Sequence, residues 1–314
     1  MLRRVLLLLK PFNVYPPRPK PSGLLHFGPN SKVLSYLDDR CKVHEEAIKF
    51  CQNVLRRKSL DWEPVMRNYL TQPIRDVDLV ITVGGDGTLL KASHFLDETI
   101  PILGVNSDPT RIEEVERFSN EFDATRSTGY LCAATVENFE QVLDEMLESR
   151  KEPSKLSRIS ISLNGSKLSA FALNDILVAH PCPATVSRFS FRIKSNDQNI
   201  SNLVNCRSSG FRVSTAAGST AAMLSAGGFP MPILSRDLQY MVREPILPRQ
   251  IDAPLLHGLV KPNQSIEATW YSKEGTIYID GSHVFCSMQH GDTIEISSNA
   301  PMLKVYLSQN PLTQ

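Results

Sequence analysis

A chain of 314 residues, at about 150 per domain, predicts two domains. Its 41% apolar and 21% charged content is that of a globular protein and excludes a disordered one. Thirty-four Lys and Arg against 33 Asp and Glu leave a formal charge of +1, which gives no electrostatic case for nucleic acid or an anionic membrane.

Val5–Leu9 reads as a buried first strand, because Lys10 and Pro11 end the run before the apolar region of a signal peptide can form. The Pro-rich connector Pro11–Pro29 excludes regular helix. Leu34, Leu37, Cys41, His44, Ile48, Cys51 and Leu55 recur at spacings of three and four and predict a long amphipathic helix. Arg56-Arg57-Lys58 end it, where cations meet its negative dipole end. Leu79–Val83 predicts a buried parallel strand stopping at Gly84-Gly85, Leu89–Leu96 a helix, and Ile100–Val105 a further strand. That order predicts a doubly wound, Rossmann-like α/β domain.

Thr135–Leu147 predicts a helix bridging two halves. From about residue 155 the pattern changes to period two, in 159–163, 186–193, 276–279, 293–296 and Leu303–Leu307. These runs predict a mostly antiparallel β-sandwich domain. The expected boundaries are 1–125 for the α/β domain, joined by 290–314, and 126–289 for the β-rich domain.

Six scattered cysteines with no C-x-x-C pair point to reduced thiols and a cytosolic protein, not to a disulfide framework or a zinc site. The seven histidines show no metal-ligand spacing, so no metal held by the protein is expected. Trp62 and Trp270 read as core or interface residues, and His180 as part of a capped loop.

Three features carry chemistry. Thr82-Val83-Gly84-Gly85-Asp86-Gly87-Thr88-Leu89-Leu90 lies where a parallel strand ends and a helix begins, the edge at which open α/β sheets bind ligands. Its glycines let the backbone approach a polyphosphate. A carboxylate repels phosphate, so Asp86 makes sense as a proton acceptor or a Mg²⁺ holder; the plainer alternative is a turn whose Asp caps the helix. The usual P-loop, dinucleotide and protein-kinase motifs are missing. The run Ser214–Gly228 has little side-chain bulk and suits a close backbone approach or a flat ligand. Asn174-Asp175 is a polar pair in an apolar stretch, either well hydrogen-bonded or facing a ligand.

GGDGT, an N-D pair and a T-x-x-G-S-T-A segment running into S-A-G-G, in this order and at these separations, resemble the NAD kinase family, most closely its plant-type NADH kinase branch. Ile279-Asp280-Gly281 looks like that family's late D-G. The resemblance implies ATP-dependent phosphorylation of the 2′-hydroxyl of the adenosine ribose of NADH and NAD⁺, with Mg²⁺ bound to ATP. It implies a homodimer and makes the β-rich domain the dinucleotide-binding one. Asp86 matches the proton acceptor, and Gly85, Gly87 and Thr88 share its contact. Asn106 matches the asparagine of G-x-N, Asn174 and Asp175 the pair holding the ribose, and Arg207 the arginine of R-S-D-G. Gly218, Thr220, Ala222 and Ser225 belong to the adenine and ribose pocket. The active site is expected between the two domains, with the last strand folding back on the first.

This sequence departs from the family in three places. Ser107-Asp108-Pro109-Thr110-Arg111-Ile112 follows Asn106 where a glycine-rich stretch and L-G-F-L are usual. Ala217 and Ala222 replace a hydroxyl and an aromatic. Ser209 replaces the R-S-D-G aspartate, which predicts a preference for neutral NADH over NAD⁺. Two rival readings are a lipid kinase of the diacylglycerol or sphingosine type, disfavoured by the balanced charge, and a non-catalytic dinucleotide-binding regulator, disfavoured by Asp86.

Overall fold

The computed structural model describes residues 4–12, 31–196, 198–246 and 253–308. Most of the predicted connector Pro11–Pro29 lies outside them. The chain divides into two compact units, Met1–Ser154 with Lys304–Gln314, and Lys155–Leu303.

In the first unit, β1 (Arg4–Leu9) leads to α1 (Ser31–Arg57), then β2 (Asp61–Met66), β3 (Leu79–Gly84), α2 (Asp86–Ser93), β4 (Ile102–Asn106), α3 (Ile112–Phe118), β5 (Ala134–Thr135) and α4 (Phe139–Leu147). The sheet runs β2-β1-β3-β4 followed by the last strand, Leu303–Tyr306, and every pairing among these is parallel. All residues of β3 and β4 are buried, as expected of strands covered on both faces. Ile48, Cys51, Val54 and Leu55 of α1 and Phe139, Val142, Leu143 and Met146 of α4 share one core with the strands. Burying each large aliphatic side chain contributes about 1.5–3 kcal/mol.

Three expectations are corrected here. Period two grouped Leu303–Leu307 with the antiparallel strands, but Val305 and Tyr306 pair in parallel with Ile102 and Leu103 of the first unit. The fold-back that the resemblance implied is therefore the right description. The predicted helix Thr135–Leu147 begins as β5, and α4 starts only at Phe139. Finally, the units meet at 154/155 and 303/304, not at 125/126 and 289/290. The physical reason is that β5 pairs with β4 and α4 buries its apolar face in the first core, while Thr293–Ser297 pairs with Gln264–Trp270 in the second unit. The basic end of α1 does more than meet a dipole, since Arg57 and Lys58 pair with Glu140 and Asp144 of α4.

The second unit holds two antiparallel sheets. One is built around Ser187–Ser195, Gln264–Trp270, Thr293–Ser297 and Ser160–Leu163. The other runs His257–Val260, Leu238–Arg243, Gly210–Ser214, Asp175–Ala179, Glu274–Ile279 and Val284–Gln289. Phe189 and Phe191 of the first sheet interleave with Phe211 and Tyr240 of the second, with ring centroids 4.9 Å apart for Phe191 and Phe211. Trp270 is fully buried in this core, and its indole N–H donates to the Glu274 carbonyl at 3.1 Å. The predicted β-sandwich is what forms. No described helix is long and apolar enough to cross a membrane.

Candidate active site

In the first unit, β2, β1 and β3 are parallel neighbours and end side by side. The Arg67 N–H donates to the Leu9 carbonyl (2.9 Å) and the Lys10 N–H to the Val83 carbonyl (3.0 Å). Gly84-Gly85 follow at this carboxyl edge and α2 begins at Asp86. A Cβ on Gly84 would lie 2.4 Å from Thr88 Oγ1, and one on Gly85 would lie 2.3 Å from Ser127 Oγ. Both glycines are thus demanded by close approach. Gly87 instead keeps an exposed face open, its nearest neighbour there being Arg67 Nη1. Thr88 is buried, and its hydroxyl oxygen accepts from Arg67 Nη1 at 3.2 Å.

Asp86 does not cap its own helix. Its carboxylate accepts the N–H groups of Tyr130 and Leu131, both at 2.9 Å, with Cys132 Sγ 3.7 Å away. Burial pushes its pKa up, and the two N–H bonds offset part of that rise. The group is thus fixed in position and made more basic than a free aspartate, two properties of a general base.

Asn106 ends β4 opposite Gly84 and is buried. Its amide donates to the Ser127 carbonyl (3.2 Å), and its side-chain oxygen accepts the Asp108 N–H (3.3 Å). Gly129, at φ +67, packs so tightly on it that a Cβ would fall 2.4 Å from its amide nitrogen. The chain leaves Asn106, forms α3, and returns at Ser127, which bridges to Pro109. Residues 107–126 are therefore an excursion, after which Ser127 and Gly129 return to Asn106 and Tyr130 and Leu131 reach Asp86. Asp108 anchors the excursion through ion pairs with Arg40 (3.2 Å) and Arg126 (2.8 Å). A cavity of about 320 Å³ opens there, lined among others by Lys10, Tyr36, Gly85, Asn106 and Arg126. His44, fully buried, joins Ser107 Oγ (2.8 Å) to the Lys10 carbonyl (2.9 Å). Burial lowers its pKa and favours the neutral ring.

In the second unit, Asp280 organises the Asn174-Asp175 pair. Its carboxylate accepts the backbone N–H groups of Leu173 (2.8 Å), Asn174 (2.7 Å) and Asp175 (3.0 Å). Asp175 forms an ion pair with Arg212, and burial, outweighing that cation, pushes its pKa up. Asn174 Oδ1 is buried with no hydrogen-bond partner among the described residues, a debt that a ligand donor would settle. The small-residue run meets this pair through backbone: Thr215 N–H donates to the Asn174 carbonyl at 2.9 Å. A Cβ on Gly218 would lie 2.1 Å from the same oxygen. Gly218→Ala is expected to cost at least about 2–3 kcal/mol, as overpacking against a fixed main chain does, and to lower the Tm; thermal denaturation checks this.

The other predicted residues separate. Thr220 is half-buried, while Ala222 and Ser225 are exposed. Arg207 is exposed and pairs across the sheet with Arg188. Ser209 bonds the Arg243 carbonyl at the end of Gly210–Ser214 opposite the end that pairs with Asp175. Five residues of extended chain put it roughly 17 Å from Ser214. Within one chain, Arg207 and Ser209 do not join the Asn174-Asp175 cluster.

The family model described as the ATP-NAD kinase N-terminal domain matches residues 29–108. A protein of Oryza sativa subsp. japonica named "Probable NADH kinase" is 64% identical over 321 residues, covering 100% of this chain and 99% of that one. The "NADH kinase" of Arabidopsis thaliana is 62% identical over 309 residues, covering 98% and 96%. The chain belongs to the NAD kinase family. Its fold is similar to that of a crystallised NADH-complexed yeast NADH kinase, with TM-score 0.66, 17% identity and coverage of 99% and 85%.

Several residues of this NAD kinase family chain escaped sequence reasoning. Tyr130 and Leu131 act through backbone N–H groups, which leave no side-chain signature. Arg212 is one charge in an alternating strand. Among the described residues, no three His, Cys, Asp or Glu side chains converge to hold a metal ion.

Proposed function

We propose that this chain transfers the γ-phosphoryl group of ATP to the 2′-hydroxyl of the adenosine ribose of NADH, and less readily of NAD⁺, giving NADPH and NADP⁺. The observation that carries this reading is Asp86: a half-buried carboxylate held by two N–H groups at a glycine-lined strand end, with its pKa raised. Asp86 takes the hydroxyl proton as the ribose oxygen bonds to the γ-phosphorus, and the bond from phosphorus to the bridging oxygen breaks to release ADP. Phosphoryl transfer asks mainly for positioning and charge neutralisation. Gly85, Gly87, Thr88 and Asn106 shape the donor side of Asp86. Asn174 and Asp175 hold the ribose, Gly218 brings the small-residue segment to them, and Thr220, Ala222 and Ser225 border the adenosine. Mg²⁺ enters as the counter-ion of ATP.

Arg207 and Ser209 serve the nicotinamide end, a separate contact from the ribose-holding pair in keeping with their distance from it. We place the protein in the cytosol, from its scattered thiols, and read it as a homodimer. The ordered donors around Asp86 favour a turning-over enzyme over a regulator that only binds. The formal charge of +1 disfavours a lipid acceptor at an anionic membrane surface.

A coupled assay with ATP and Mg²⁺ tests the reading, offering NADH and NAD⁺ separately. NADH is expected to give the higher kcat/KM, and Ser209→Asp to shift the ratio toward NAD⁺, since a new carboxylate attracts the cationic ring. Dinucleotide binding without product from either acceptor overturns the kinase reading. An unchanged ratio in Ser209→Asp removes the account of preference alone.

A further inference from the structure

Two basic residues outside every motif converge on the glycine turn. Lys10 and Arg67 are the first residues beyond β1 and β2, so with Gly84-Gly85 they occupy three adjacent strand ends at the carboxyl edge of the sheet. Backbone bonds fix both. Lys10 is held through its N–H to Val83 (3.0 Å) and through its carbonyl to His44 (2.9 Å), and Arg67 through its N–H to Leu9 (2.9 Å). Lys10 lies so near the turn that a Cβ on Gly84 would sit 3.0 Å from its own Cβ. The Arg67 guanidinium lies over the open side of Gly87, 3.6 Å from where a Cβ would be, and bonds Thr88 Oγ1 at 3.2 Å.

Burial lowers the pKa of both groups, and Arg67 lowers that of Lys10 further, while Asp108 works the other way. Two partly desolvated cations beside a glycine-rich turn fit a polyphosphate, whose oxygens accept several charge-assisted hydrogen bonds at once.

We propose that Lys10 and Arg67 bind the triphosphate of the phosphoryl donor over the Gly84–Thr88 turn. This rests on the kinase reading for the identity of the donor, although the anion site itself does not. Arg67 grips through its fork, and Lys10 supplies a point charge one strand away. Together they offset the repulsion that the ionised Asp86 exerts on an approaching phosphate.

The test combines kinetics with direct binding. Lys10→Met and Arg67→Gln are each expected to raise the KM for ATP about tenfold or more, with the KM for NADH within about twofold of wild type. Isothermal titration with inorganic tripolyphosphate is expected to show binding to the wild type, weakened by a similar factor in each variant and partly restored in Arg67→Lys. A purely structural brace on Thr88 predicts a lowered Tm and equal losses for ATP and NADH; that pattern, or unchanged tripolyphosphate affinity, overturns the proposal. If the wild type binds tripolyphosphate through these residues yet makes no NADPH, the anion site stands and the kinase reading falls. If it makes NADPH while both variants keep the wild-type KM for ATP, the reverse holds.

Discussion

Asp86→Asn is expected to lower kcat by about 10²–10⁴-fold, the range a positioned general base contributes, while leaving NADH binding within about twofold. The substitution keeps the shape of the side chain and one acceptor oxygen for Tyr130 or Leu131, so the loss reads out proton transfer and not a collapsed turn. The sign of the pH dependence follows from the raised pKa. The base must be ionised to accept a proton, so kcat/KM is full above the pKa of Asp86 in the folded protein and falls about tenfold per pH unit below it. Because burial raises that pKa, the acid limb lies at a higher pH than an ordinary aspartate would give. A pH profile of the wild type checks the limb, and its absence from the residual activity of the variant assigns it to Asp86. Residual turnover close to wild type would remove Asp86 from the role of base and leave it an anchor for the Tyr130–Leu131 turn.

The Asp86 turn was legible because its signal is local: an apolar run, then glycines, then a helix. The same locality made β1, β3 and β4 readable, since a strand buried on both faces is written as consecutive aliphatics. β2 was not, because Asp61, Glu63 and Pro64 interrupt its apolar pattern. An edge strand tolerates charge and a missing N–H, and β2 is at the edge of the sheet. Losing β2 also hid Arg67, whose meaning comes from ending a strand beside Lys10 and Gly84.

Register was the second missing quantity. Arg212 faces Leu177 across the sheet, and its reach to Asp175 is a diagonal pairing two residues along the same face. Nothing in the one-dimensional pattern selects that register over its neighbours. The excursion 107–126 misled for a related reason. Proximity in sequence to Asn106 suggested that Ser107–Ile112 stood in the place of the glycine-rich stretch, while the residues that return to Asn106 are Ser127 and Gly129.

Asp280 is where local and non-local information meet, and it gives the second large effect. Ile279-Asp280-Gly281 was visible as a motif, but its task becomes clear only from the three N–H groups that its carboxylate receives at 2.7–3.0 Å. Asp280→Ala leaves those donors without their acceptor and puts alanine at φ +51, a conformation aspartate and asparagine adopt more readily. The expected destabilisation is about 3–5 kcal/mol, taking each lost acceptor at about 1–3 kcal/mol and allowing for non-additivity; denaturant unfolding measures it. Asp280→Asn separates the frame from the fold. It keeps the backbone conformation and one acceptor oxygen, but its amide turns a donor toward a donor, so the 173–175 backbone loses its clamp while the core of the sandwich stays intact. The folded Asn variant is then expected to bind NADH at least about tenfold more weakly, with the KM for ATP little changed, because only the placement of Asn174 and Asp175 is disturbed. Unaltered NADH affinity in that variant would mean that the Asp280 clamp stabilises the second unit and would remove Asn174 and Asp175 from the proposed dinucleotide contact.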